Sequence, residues 1–299
     1  MTRTHTPRRH ERGRLAHDPG RPVIGFLPHS RLFAFRDAVR ACPLLFLLLA
    51  GGCGGPPGER APAGDAHTPA PLYIAAASDL TLALPRLIER FEAETQLKAT
   101  PVMGVSGQLA SQIKEGAPYD VFMAADQAYV ADLARTGAVV ESSVKPYARG
   151  SLVLVVRPQI ADRVRSLADL TGPAVGRIAL ANPTFAPYGR AGKQALERAG
   201  LWTKLEPRIV LGESVRQALV YVERGDADVG LVGRAIAQSP AFRVVEIDDR
   251  LYDPLIQAIG VVAASKRTAD AASFVAFVMS DPGQAILKEF GFAPGSPER

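Results

Sequence analysis

LYIAAASDLTLALPRLIERFEAETQLKATPVMGVSG, residues 72–107, is the stretch that decides the fold. It opens with a short apolar run, 72–77, of the length of a buried strand. Ser78 and Asp79 then offer helix-start chemistry. Leu84, Leu87, Ile88 and Phe91 follow at helical spacing through 80–94, and Pro85 inside that run demands a kink or a later start. Residues 98–105 read as a second strand. Strand, helix, strand over this distance is the unit of an open α/β sheet.

The rest of the chain repeats the alternation without repeating the sequence. Helices are expected at 107–115 (Leu109, Ala110 and Ile113 on one face) and at 127–136, the latter ended by Gly137. Further helices are expected at 166–170, at 190–199 ended by Gly200, and at 214–223 ended by Gly225. Residues 268–279 and 282–290 read as terminal helices. Strands are expected at 119–124, 151–156, 177–181, 208–211, 228–232, 244–247 and 256–262. Such alternation argues for parallel-type sheets covered by helices.

Working outward, the composition divides at the start of this body. All five His (5, 10, 17, 29 and 67) and both Cys (42 and 53) precede residue 71. The body therefore has no zinc site of His or Cys, no thiol nucleophile, no Ser-His-Asp triad and no disulfide framework. Residues 1–52 carry nine Arg against Glu11, Asp18 and Asp37, a net of +6 within a chain total of +5, which leaves −1 for the remainder. A near-neutral body removes the argument for nucleic-acid binding that the overall charge suggests.

The apolar run 43–50 is too short to span a bilayer, which needs roughly 20 residues, and it follows Arg36 and Arg40 in secretory-signal order. Leu49-Ala50-Gly51-Gly52-Cys53 resembles a bacterial lipobox, in which Cys53 becomes the acylated lipid anchor; the alternative is a plain signal peptide cut elsewhere. Residues 1–35 do not fit a signal peptide, and no Met stands between Met1 and Met103. Initiation at a non-Met codon near Val39 is therefore expected, with 1–38 untranslated; a precursor beginning at Thr2 or Arg3 would overturn this. Residues 54–70, rich in Gly, Pro and Ala, read as a flexible tether.

Four strand-to-helix corners have the form of anion sites, because helix N-termini present unpaired N–H groups and partial positive charge. At the first, the Ser78 hydroxyl and the backbone N–H of Asp79 are candidate donors, the Asp79 carboxylate having to point away or bond locally. At the second, Ser106 lies between glycines in GVSG. The third is NPTFAPYG, 182–189, where Tyr188 offers a phenol. The fourth is GESV, 212–215, with the Val215 N–H as donor. Each Ser also fits a plain helix cap, and Tyr188 a side chain packed on its loop. There is no GxxxxGK[ST] and no GxGxxG after a strand. Asp226/Asp228 and Asp248/Asp249 lie in turns and read as solvated.

LYIAAASDL, GVSGQLASQIKEGAPYDVFMAAD, NPTFAPYGRAGKQALE, ESVRQALVYVERGDADVGLV and FVMSDPGQAILKEFGF together resemble the periplasmic molybdate-binding proteins of ABC importers, type II periplasmic binding proteins, over roughly residues 71–292. The resemblance implies an α/β fold of two lobes, each a mixed, mostly parallel sheet flanked by helices, with a tetrahedral oxyanion in the cleft between them. It implies a first lobe of 71–149 plus 251–299 and a second of 150–250. It also implies Ser78, Asp79 (through its N–H), Ser106, Tyr188 and Val215 as the oxyanion-binding residues. Some members carry a Tyr where this chain has Gly233, so Tyr188 is expected to supply that phenol.

The expected function is extracytoplasmic binding of molybdate, and of similarly sized tungstate, with delivery to an inner-membrane ABC permease. The expected protein is a periplasmic or membrane-anchored monomer without enzymatic activity, catalytic residue, bound metal cation or cofactor. Such a dianion has four acceptor oxygens and no donors, so neutral O–H and N–H groups at helix termini suffice. Selectivity over sulfate would rest on cavity size. The rivals are a site for sulfate or another tetrahedral oxyanion, an α/β enzyme working with carboxylates alone, and a cytosolic sensor domain, which would normally carry a DNA-binding segment instead of a secretory leader.

Overall fold

The computed structural model describes residues 70–295; the leader, Cys53 and nearly all of the tether lie outside the described residues. Ten strands and eight α-helices follow one another: β1 (Leu72–Ala77), α1 (Ala83–Thr95), β2 (Ala99–Gly104), α2 (Ser106–Lys114), β3 (Val121–Ala124), α3 (Gln127–Arg135), β4 (Lys145–Gly150), β5 (Leu152–Val156), β6 (Ile178–Ala181), α4 (Pro187–Arg198), α5 (Trp202–Leu205), β7 (Ile209–Gly212), α6 (Val215–Arg224), β8 (Val229–Gly233), β9 (Arg243–Glu246), β10 (Leu255–Val261), α7 (Thr268–Met279) and α8 (Asp281–Glu289).

The strands form two five-stranded sheets, in the orders β2-β1-β3-β10-β4 and β7-β6-β8-β5-β9. In each sheet the first three neighbours are parallel, the fourth strand (β10 or β5) runs antiparallel, and the fifth pairs antiparallel with it. Four of the five strands in each sheet therefore share a direction. The two halves repeat one topology although their sequences show no repeat. Each sheet buries apolar side chains under helices, as in α1, whose Leu84, Leu87 and Phe91 are fully buried and whose Phe91 ring meets Phe274 of α7 edge-on at 5.0 Å.

Several expectations change. Strand β4 was not foreseen, because KPYARG neither alternates nor forms an apolar run. It is an edge strand, where Pro146 is tolerated, as Pro101 is on the opposite edge strand β2. The first helix does not begin at residue 80: a 3-10 turn, Ser78–Leu80, comes first, and Pro85 falls in the opening turn of α1, where its missing N–H loses no intrahelical bond. The stretch 166–170 forms only a 3-10 turn, Leu167–Thr171. The fourth α-helix begins earlier than residue 190, at Pro187, a residue pre-set for a first helical position. Strands β5 and β10, the two that run antiparallel, are those the chain enters directly from the other sheet, after β4 and β9.

Candidate functional site

Three helix N-termini and the 3-10 turn point into one buried pocket. Its wall consists of Ala77, Ser78 and Asp79 after β1; Gly104, Val105 and Ser106 between β2 and α2; Ala125 after β3; Ala186, Pro187 and Tyr188 opening α4; and Ser214 and Val215 opening α6. All five residues singled out in the sequence, Ser78, Asp79, Ser106, Tyr188 and Val215, thus meet at one place, from both sheets. The described buried polar side chains are Ser78, Asp79, Ser106, Asp120 and Gln257, and all but Asp120 stand at this pocket or directly behind it. Burial of polar groups costs free energy unless they are partnered, so such a concentration marks a site.

The donors are unoccupied in a specific way. Ser106 is the first residue of α2, and the cap position is Val105, which makes no side-chain bond; Ser106 is therefore not the N-cap. Its Oγ accepts the Ala125 N–H at 3.1 Å, which leaves the hydroxyl proton to be donated. Ser78 is likewise inside its turn and not capping it; its carbonyl accepts the Thr81 hydroxyl, and its own hydroxyl lines the pocket. Ser214, by contrast, is a true cap, accepting from Gln217 N at 3.1 Å. That leaves the first N–H of α6, on Val215, without an intrahelical acceptor. The residues opening α4 are also uncapped by side chains.

Behind the pocket lies a polar cluster that sequence reasoning did not find. Gln257 of β10 is fully buried. Its Nε2 donates to Asp79 Oδ2 at 2.5 Å and to Tyr188 Oη at 3.2 Å, and its Oε1 accepts from Tyr147 Oη at 2.5 Å. Gln257 pairs with Ala148 and Ala258 with Pro146, so Tyr147 is the extra residue of a β-bulge, a device that re-aims side chains. The Asp79 carboxylate is thereby held by Gln257, and its Oδ1 is buried without a hydrogen-bond partner. Burial raises the Asp79 pKa to about 6, against the opposing pull of the Gln257 amide. Burial also pushes the Tyr188 and Tyr147 phenols well above their ordinary value, with the Asp79 charge adding to it, so both remain O–H groups. A lone Gln inside the apolar run LIQAIGV was the available signal for Gln257; nothing local marked Tyr147.

Glycine makes room for Tyr188. A Cβ at Gly233 would stand 3.0 Å from the Tyr188 ring, and one at Gly150 would stand 2.1 Å from its Oη. The Tyr188 ring thus occupies the space a side chain at 233 would need. A second group of contacts crosses the cleft beside the pocket. Arg190 of α4 pairs with Asp126, the cap of α3, donates to Tyr129 Oη at 3.0 Å and lies over the Tyr129 ring at 5.5 Å. The Phe185 carbonyl accepts from Gly107 N at 3.2 Å and from Tyr129 Oη at 3.3 Å.

The two turn carboxylate pairs stay out of the pocket. Asp228 accepts from Gly176 N and Arg177 N, and Asp248 accepts from Arg250 N and from its side chain. Among the described residues no group of His, Cys, Asp and Glu is arranged to hold a metal ion, and no helix is long and apolar enough to cross a membrane.

Two α/β lobes enclosing a small pocket of hydroxyls and helix-terminal N–H groups define a solute-binding protein. Residues 72–293 match the bacterial extracellular solute-binding protein family, and the chain belongs to it. It is 29% identical over 232 residues to the molybdate-binding protein ModA of Azotobacter vinelandii, covering 75% of this chain and 90% of that one. It is 30% identical over 252 residues to ModA of Mycobacterium tuberculosis, covering 83% and 94%. The solved structure of the Azotobacter vinelandii periplasmic molybdate-binding protein superposes with a TM-score of 0.71 at 31% identity, over 76% of this chain and all of that one.

Proposed function

We propose that this protein binds molybdate, and tungstate with it, outside the cytoplasm and delivers the oxyanion to an ABC permease without chemically changing it. The observation that carries this reading is the convergence of the Ser78, Ser106 and Tyr188 O–H groups and the Val215 N–H on one buried pocket whose wall contains no Lys or Arg. Uncharged donors and helix termini suit a dianion that must be released again. The likeness to two molybdate-binding proteins supports the same choice. Asp79, the pocket's one carboxylate, is bonded to Gln257 and has no acidic partner for acid–base work, which favours a binder over an enzyme. On this reading Cys53 is acylated, the tether 54–70 holds a monomeric domain near the membrane, and residues 71–149 with 251–299 close on 150–250 around the ligand.

Calorimetry of the purified protein with molybdate, tungstate and sulfate tests the proposal. Tight binding of the first two and weak binding of sulfate is the expected result; sulfate binding as tightly as molybdate would defeat the selectivity. The double variant Ser78→Ala, Ser106→Ala should lose most of the affinity. Each hydrogen bond to a charged group is worth about 1.5–3 kcal/mol, roughly tenfold to hundredfold. The variant's circular dichroism should stay native, because neither hydroxyl caps its helix.

A further inference from the structure

Asp79 lines a pocket suited to a dianion, its carboxylate turned onto Gln257 directly behind that pocket, and it is 1% exposed. Two negative charges sharing one desolvated site repel strongly, and among the described residues no cation pairs with Asp79 to relieve that repulsion; the Gln257 amide, the Tyr188 hydroxyl and the Asp79 and Leu80 N–H groups favour the charged form but do not outweigh burial. The groups facing it are the Tyr147 phenol from β4, the Tyr188 phenol from α4 and the uncharged Gln257 amide from β10. On the other elements packed against the turn Ser78–Leu80 the charges are engaged elsewhere, apart from Arg224 at the far, C-terminal end of α6. Arg216 of α6 pairs with Glu223, Arg234 of the turn Arg234–Ile236 pairs with Glu246, and β2 carries no titratable residue. Arg149, two residues beyond Tyr147, pairs with Asp249. One carboxylate oxygen, Oδ2, accepts from Gln257, while Oδ1 is buried and makes no hydrogen bond of normal geometry. An ionised carboxylate with one orphaned oxygen is an expensive state for this position. A proton on Oδ1 removes both the orphaned charge and the repulsion.

Resting on the oxyanion reading above, we propose that the site takes up one proton together with its dianion, and that the proton resides on Asp79. The step is a proton transfer from solvent to the Asp79 carboxylate; no bond to the oxyanion's central atom forms or breaks, and the pocket's net charge changes by one unit less than the ligand brings. The empty site, with its carboxyl near pH 6 through burial, is mostly ionised at neutral pH. A bound dianion moves that equilibrium further toward the protonated form. Affinity is then flat at pH values below the empty-site pKa. It falls toward tenfold per pH unit above that point and levels off past the pKa of the complex.

Molybdate titrations of the full-length protein by calorimetry, at about pH 7 and about pH 8 in pairs of buffers with different ionisation enthalpies, read the proton count directly. Close to one proton taken up per molybdate at the lower pH is expected, with weaker binding at the higher pH. Infrared difference spectra should show a protonated-carboxyl C=O band appearing as molybdate is added. In Asp79→Asn the proton uptake, the band and the pH dependence should all vanish. Molybdate bound with no net proton uptake and no carboxyl band would overturn this proposal and leave the molybdate reading standing. Uptake that persists in Asp79→Asn would overturn the assignment to Asp79. Absence of molybdate binding by the wild-type protein would overturn both. The wild-type infrared and buffer measurements decide the question even if Asp79→Asn fails to fold.

Discussion

Tyr188 reaches the pocket only because positions 150 and 233 have no side chains. A methyl group at 150 would overlap the phenol oxygen and crowd Gln257 Nε2 at 2.9 Å. Gly150→Ala is therefore expected to expel the hydroxyl from the pocket, weaken molybdate binding about tenfold or more, and destabilise the fold by about 1–3 kcal/mol through overpacking. Calorimetry and thermal melts check the two effects separately. Asp79 gives a second prediction at this scale. Its pKa is raised from 3.8 to about 6 in the fold, so the folded state holds its proton more tightly than the unfolded chain. Stability from this group is greatest at low pH and falls as pH rises through that window. At neutral pH the penalty is about 3 kcal/mol. Asp79→Asn should escape it, so the stability of the variant relative to wild type should increase by up to that amount between acid and neutral pH in urea titrations. The five pocket residues were legible because each lies at a corner where a strand gives way to a helix or 3-10 turn. Gln257 and Tyr147 were not, since their meeting depends on the β10–β4 pairing and its bulge.

At the scale of elements, the pocket is made by where helices begin. α2, α4 and α6 start at Ser106, Pro187 and Val215, and each start was marked locally by Ser, Pro or Gly. The contact between α3 and α4 was not marked. Asp126 accepts the Ala128 N–H at 2.8 Å through Oδ1, capping α3, and pairs with Arg190 through Oδ2, so one carboxylate both starts a helix and ties the two lobes. Arg190→Ala keeps that cap and removes the tie, together with the stacking on Tyr129. An interlobe pair this accessible is worth about 1 kcal/mol, so affinity should fall about fivefold. The loss should lie mainly in faster release, measured by stopped-flow fluorescence.

At the scale of the whole molecule, the ligand would touch groups from both sheets, so binding and global stability are coupled. With molybdate at a thousandfold excess over its Kd, unfolding should require about 4 kcal/mol more than in the empty protein, and a calorimetric scan should show the shift. Sulfate at the same concentration should give little. The sequence alone established the α/β class, the order of most elements, the empty inventory of His and Cys in the body, and the four corners. These are local properties: periodicity, caps and composition act over a few residues. Only the tertiary structure decided that the corners face one another, that β5 and β10 run against their neighbours, that Gln257 holds the Asp79 carboxylate, and that Tyr188 fills the space above Gly233. Those relations join residues far apart in the chain, up to 178 positions for Gln257 and Asp79, and are fixed by strand pairing and exclusion of volume, which no local pattern encodes.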